Sequence, residues 1–124
     1  MFDFATIRGA LGAAPQGRSL GDLVESAAQG LLTLIDVRGH DEVAAYGKAE
    51  GAIHIPLMLL PHHADPRHPE FHAALSVERP VGVYCASGAR SSMAENMLRQ
   101  LGYGEVTNIG GLGDWVRAGG AVER

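Results

Sequence analysis

Residues 31–37 read Leu-Leu-Thr-Leu-Ile-Asp-Val, an apolar run interrupted only by Thr33 and Asp36. Such a run is too short for a buried helix and shows no polar alternation, so it predicts a strand covered on both faces, as in a parallel sheet. The flanking segments agree. Upstream, Ser19 followed by Asp22 resembles a capping box, and Leu20, Leu23, Val24 and Ala27 recur at helical spacing until Gly30 stops the helix. Downstream, residues 41–46 predict a short helix and residues 51–56 a short strand ended by Pro56. Pro61, Pro66 and Pro69 then break the pattern, leaving a helical turn near residues 57–60 and a short helix near 69–75.

The pattern sharpens at residues 81–84, Val-Gly-Val-Tyr, a second apolar strand. A tight turn follows at residues 85–88, then a helix over 89–101 with Met93, Ala94, Met97, Leu98 and Leu101 on one face and Gly102 as its cap. Residues 105–108 predict a last strand, and a short helix runs through Trp115 and Val116. Trp115 reads as core rather than substrate contact. Strands alternating with helices define an α/β fold with a mainly parallel sheet.

A chain of 124 residues is about one domain, and with 46% hydrophobic and 19% charged residues it has the composition of a globular one. Residues 1–18, rich in Gly, Ala and Pro, read as a lead-in with a short helix around residues 4–11, and residues 19–124 as the domain. A formal net charge of −4 gives no broad basic face, so neither nucleic acid nor an anionic membrane is expected as a partner. The N-terminal stretch lacks the basic start and apolar block of a signal peptide, and no run is long enough to span a bilayer, so the expected location is the cytoplasm. The histidines at 54, 62, 63, 68 and 72 lack an accompanying carboxylate or thiol at ligand spacing; they read as a solvated loop, with no metal and no cofactor implied.

Chemistry concentrates at Cys85, the one cysteine. A buried strand delivers it to a turn of small residues, Ala86, Ser87, Gly88 and Ala89, that opens a helix. Ligands in open α/β sheets bind at the carboxyl ends of strands, and a helix N-terminus presents unpaired backbone N–H groups and the positive end of its dipole. Small residues let that backbone approach an anion. Curled around the sulfur, the same donors favour thiolate over thiol. Arg90 would add a permanent positive charge, unless it pairs with Glu95 or faces solvent.

Four segments, in order, resemble the hallmarks of rhodanese-like domains: Leu34-Ile35-Asp36-Val37-Arg38, Gly51-Ala52-Ile53-His54-Ile55-Pro56, Tyr84-Cys85-Ala86-Ser87-Gly88-Ala89-Arg90-Ser91, and Gly110-Gly111-Leu112-Gly113-Asp114-Trp115. The resemblance spans residues 20–122. It implies a five-stranded parallel sheet flanked by helices on both faces, with the cysteine loop at its carboxyl edge. It also implies that Cys85 is the nucleophile that takes sulfane sulfur from thiosulfate or another persulfide donor and passes it to cyanide or a thiol, small or protein-borne. Ala86 to Arg90 match the anion-binding loop. Asp36 and Arg38 match an Asp-Val-Arg signature, expected to be a supporting ion pair rather than reactive groups.

The chain departs from the family at Gly47-Lys48-Ala49-Glu50, where the usual Gly-His-Ile-Pro has lost its last three residues, and at Ala86, where many thiosulfate-using members place a cation. Arg90 is thus the loop's only cationic side chain. Cysteine phosphatases and arsenate reductases need five residues between cysteine and arginine to seat a tetrahedral oxyanion; here there are four. A persulfide carrier serving a partner enzyme, or a non-catalytic binding or sensing domain on the same fold, are the remaining readings.

Overall fold

The computed structural model describes residues 19–124; the expected helix around residues 4–11 lies outside them. In chain order the elements are α1 (Leu20–Ala28), β1 (Thr33–Asp36), α2 (His40–Tyr46), β2 (Lys48–Ala49), β3 (Ile53–His54), a 3-10 turn (Leu57–Leu59), α3 (Leu60–His63), β4 (Val81–Cys85), α4 (Ala89–Gln100), β5 (Val106–Gly111), α5 (Leu112–Arg117) and β6 (Val122–Glu123).

Four strands form one parallel sheet in the order β3-β1-β4-β5. Successive side chains on a strand face opposite ways, and the core divides accordingly. Ile35, Val83 and Cys85 point to the face covered by α4, where Ala94 and Leu98 are completely buried. Leu34 and Tyr84 point to the other, against Leu23 of α1 and Trp115 of α5. All four residues of β1 and all five of β4 are buried, which is why both read as apolar runs. Trp115 is core, and its indole N–H donates to the Ala121 carbonyl at 2.8 Å.

The expected capping box is present: Asp22 N–H donates to Ser19 Oγ and Ser19 N–H to the Asp22 carboxylate. The architecture is the expected α/β one, with two differences in detail. The main sheet has four strands rather than five; β2 and β6 pair separately as a small antiparallel ribbon. The Ala49 amide donates to the Tyr84 hydroxyl at 2.8 Å, so part of β2 is tied to a side chain of the main sheet instead of its edge. The helix expected near residues 69–75 is replaced by successive turns. Asp65, His68, His72 and Ser76 each accept a hydrogen bond from the backbone N–H two residues ahead, a local alternative to helical bonding. Among the described residues no helix is long and apolar enough to cross a membrane.

Candidate active site

Cys85 is the last residue of β4, at the carboxyl edge of the sheet, and only 1% exposed. The chain then turns through Ala86, Ser87 and Gly88 into the twelve-residue α4. Gly88 makes the turn possible, with φ of +108°, a conformation that side chains with a Cβ rarely adopt. The turn aims its amides inward, and the Gly88 N–H donates to Cys85 Sγ at 3.0 Å.

Ser91, completely buried in the first turn of α4, places its hydroxyl 3.4 Å from the same sulfur. The same hydroxyl lies 2.7 Å from Asn108 Oδ1, so its one proton goes to Asn108 beside the neutral thiol and turns to the sulfur when that is thiolate; Asn108 Nδ2 donates to the Gly88 carbonyl at 3.2 Å and Gly110 N–H to Oδ1 at 2.9 Å. Asn108, on the neighbouring strand β5, therefore clamps both the loop backbone and the serine that touches the sulfur.

These donors set the charge of the sulfur. Burial pushes the thiol pKa up, but hydrogen bonds from the Ser91 side chain and from the amides of Ser91, Gly88 and Ser87 outweigh it and bring the thiol down to about 7. A substantial share of Cys85 is then thiolate at neutral pH. Replacing Ser91 with alanine removes the leading stabiliser and should move the thiol toward the ordinary value of about 8.5. Since the thiolate reacts, alkylation of Cys85 by iodoacetamide should rise through pH 7 and level off in the native protein. In Ser91→Ala the rise should shift to higher pH, with a loss of about tenfold at pH 7. Coincident pH profiles would remove Ser91 from the account.

Of the loop residues named from the sequence, Ala86, Ser87 and Ala89 are exposed and Gly88 is half-buried. Arg90 is placed differently from a free cation. Its guanidinium makes a two-pronged ion pair with Glu42 of α2, at 2.6 and 2.8 Å, whereas Glu95 pairs with Arg99. Glu42 is in turn held at a pKa of about 2 by hydrogen bonds from Arg90 and the Gly39 amide.

The pair read from Asp36-Val37-Arg38 lies at the end of β1. The Arg38 Nη2 to Asp36 Oδ2 distance is 2.8 Å, and the side chains are 2% and 0% exposed. Asp36 also accepts from the Arg38 amide at 2.9 Å and the Tyr84 hydroxyl at 2.7 Å, and Arg38 donates to the Gly47 carbonyl, so both buried charges are well satisfied. No Asp36 or Arg38 hydrogen bond reaches Cys85; the pair anchors β1 to β4 and to the loop before β2.

The sequence alone assigns no role to Glu42, Tyr84, Asn108 or Ser91. Only Ser91 left a local signal, as a hydroxyl in the first turn after the cysteine loop. Among the described residues no group of three or more His, Cys, Asp or Glu could hold a metal ion. The five histidines expected in one loop are spread over β3 (His54), α3 (His62 and His63) and the turns beyond (His68 and His72): His54 pairs with the Arg38 carbonyl, His63 with that of Glu70, His68 and His72 accept from amides, and His62 packs edge-on against His68.

A parallel sheet that ends an inner strand on a cysteine, with the Gly88 amide turned onto its sulfur, defines an α/β protein with a cysteine-centred loop at the carboxyl edge of its sheet. The sequence profile of the rhodanese-like domain matches residues 19–118. A sulfurtransferase from Allochromatium vinosum is 37% identical over 87 residues, covering 69% of this chain and 73% of its own. The human thiosulfate:glutathione sulfurtransferase is 33% identical over 99 residues, covering 75% and 85%. Among solved structures, a Rhodopseudomonas palustris protein of unknown function, described as a possible tyrosine phosphatase, superposes with a TM-score of 0.74 at 28% identity, covering 84% of this chain and 81% of that one. The chain belongs to the rhodanese-like domain family, and its curated relatives support a sulfurtransferase.

Proposed function

We propose that the protein transfers sulfane sulfur through a persulfide on Cys85. The observation that carries this reading is the sulfur itself, held by the Gly88 amide and Ser91 with a pKa of about 7. A thiol whose pKa lies near ambient pH combines a substantial thiolate fraction with retained nucleophilicity.

In the first half-reaction the Cys85 thiolate attacks the outer sulfur of thiosulfate. A Cys85 S–S bond forms, the donor's S–S bond breaks, and sulfite leaves with that bond's electron pair. In the second, an acceptor such as cyanide attacks the outer sulfur of Cys85–S–S⁻, and the cysteine departs as thiolate with thiocyanate as product. The inward amides that stabilise thiolate also suit the persulfide anion, a preorganised arrangement that needs no rearrangement between steps. Arg90 lends the loop mouth positive potential, tempered by Glu42. That tempering, together with alanine at position 86, favours a persulfide donor over the thiosulfate dianion.

A phosphatase reading meets two obstacles: only four residues separate Cys85 from Arg90, and the guanidinium is turned onto Glu42 instead of the loop centre.

Intact-mass measurement after treatment with thiosulfate or a more reactive persulfide donor tests the proposal. One sulfur should add to the native protein, leave on cyanide treatment, and be missing from Cys85→Ser, which should fold normally. No added sulfur from either donor would defeat it, and an unfolded Cys85→Ser protein would make the cysteine structural.

A further inference from the structure

Ser91 touches the Cys85 sulfur at 3.4 Å from a completely buried position in the first turn of α4. A hydroxyl has one proton to donate, and three acceptors surround this one: the sulfur, Asn108 Oδ1 at 2.7 Å and the Gly110 carbonyl at 3.3 Å. Asn108 is not free to turn its oxygen away. Its Nδ2 donates to the Gly88 carbonyl and its Oδ1 accepts from the Gly110 amide, so the carboxamide is held at both ends with Oδ1 against the serine. Helix and burial fix the Ser91 oxygen, which leaves rotation of its O–H bond as the motion available.

The charge on the inner sulfur changes twice in each turnover of the persulfide scheme. It is negative before loading. In Cys85–S–S⁻ the inner atom is bonded on both sides and the charge sits on the outer one; the inner atom is negative again once an acceptor has taken the outer sulfur. A charged acceptor makes a hydrogen bond roughly twice as strong as a neutral one, so the Ser91 proton belongs on the sulfur in the first and last states and on Asn108 between them.

We propose that Ser91 is a catalytic residue of the discharge step: its hydroxyl, resting on Asn108 Oδ1 while Cys85 carries the persulfide, swings onto the inner sulfur as the S–S bond breaks. The inference rests on the Cys85 persulfide reading and adds a group that acts on the leaving atom. With cyanide as acceptor, the carbon lone pair bonds to the outer sulfur, the electron pair of the S–S bond passes to Cys85 Sγ, and thiocyanate departs. No proton is transferred; Ser91 keeps its own and redirects it. The Gly88 amide, 3.0 Å from the same sulfur, is fixed in the backbone and has no such freedom. Asn108 is a positioning residue, acting through Ser91.

Ser91→Ala separates this role from a structural one, because a group that stabilises the thiolate makes the sulfur a better leaving group and a weaker nucleophile. Both half-reactions are followed by intact mass: loading with thiosulfate or a more reactive persulfide donor, and discharge of preloaded protein with cyanide. At about pH 10, where the thiol is ionised in both proteins, Ser91→Ala should load at least as fast as the native protein yet discharge about tenfold more slowly. Asn108→Asp, whose carboxylate holds the hydroxyl proton more tightly, should slow discharge several-fold more in the native background than in Ser91→Ala. Three results would each overturn the proposal and leave the persulfide reading standing: discharge of Ser91→Ala at the native rate, slowing of both its half-reactions at about pH 10 as a distorted loop would give, or equal slowing by Asn108→Asp in both backgrounds. A native Cys85 that no donor can load overturns both.

Discussion

Asp36→Ala should destabilise the protein by about 3–5 kcal/mol, among the largest losses expected from any single substitution here. Asp36 is completely buried, and its two carboxylate oxygens receive the Arg38 guanidinium, the Arg38 amide and the Tyr84 hydroxyl. Removing the carboxylate strands the Arg38 charge, which is 2% exposed, and takes away the acceptor that holds Tyr84. The penalty comes from the uncompensated buried charge rather than from the worth of the pair. Adding Arg38→Met to Asp36→Ala should therefore recover part of the loss. Urea denaturation of both variants measures this. A cost for Asp36→Ala below about 1 kcal/mol, or a double variant less stable than the single one, would show that the pair does not behave as a buried, mutually dependent unit.

Gly111→Ala should reduce sulfur loading of Cys85 by about a hundredfold or more. Gly111 is the β5 residue opposite Cys85 in the β4–β5 register. A Cβ there would lie 2.2 Å from the Ala86 carbonyl oxygen, 2.8 Å from its carbon and 3.3 Å from the Ser87 nitrogen. All three atoms are backbone, so no side chain can swing aside, and the displaced segment is the loop whose amides face the sulfur. The donors then miss the position where negative charge rests, and a misplacement of about 1 Å is enough for such a loss. Overpacking should add about 1–3 kcal/mol of instability. Gly104→Ala is the matched control, because nothing lies within 4 Å of the Cβ it would add. Loading of Gly111→Ala at the rate of Gly104→Ala would mean that β5 does not set the shape of the loop.

Much of the site was legible because its parts are neighbours in sequence. The run Val81–Cys85, the small residues after it and the start of α4 form one continuous strand, turn and helix, whose inward amides follow from local backbone geometry. The Asp36–Arg38 pair, two residues apart at the end of β1, is local in the same sense. The helix expected at residues 69–75 failed for an equally local reason, since side-chain acceptors in that segment capture the amides a helix would need.

Long-range pairing decided the rest. Asn108 gives no local sign of a role; it reaches Gly88 and Ser91 only because β5 lies against β4. Glu42 stands 48 residues from Arg90, and no periodicity relates the two, yet packing places α2 where it takes up the charge expected to stand free at the loop mouth. Sequence by itself determined the α/β class, the cysteine, the loop and the local ion pair, because backbone hydrogen bonding and apolar burial act over a few residues. Tertiary structure decided how far the arginine's charge is neutralised, which groups tune the thiol, and what borders the sulfur, because those depend on side chains that meet only after the sheet has formed.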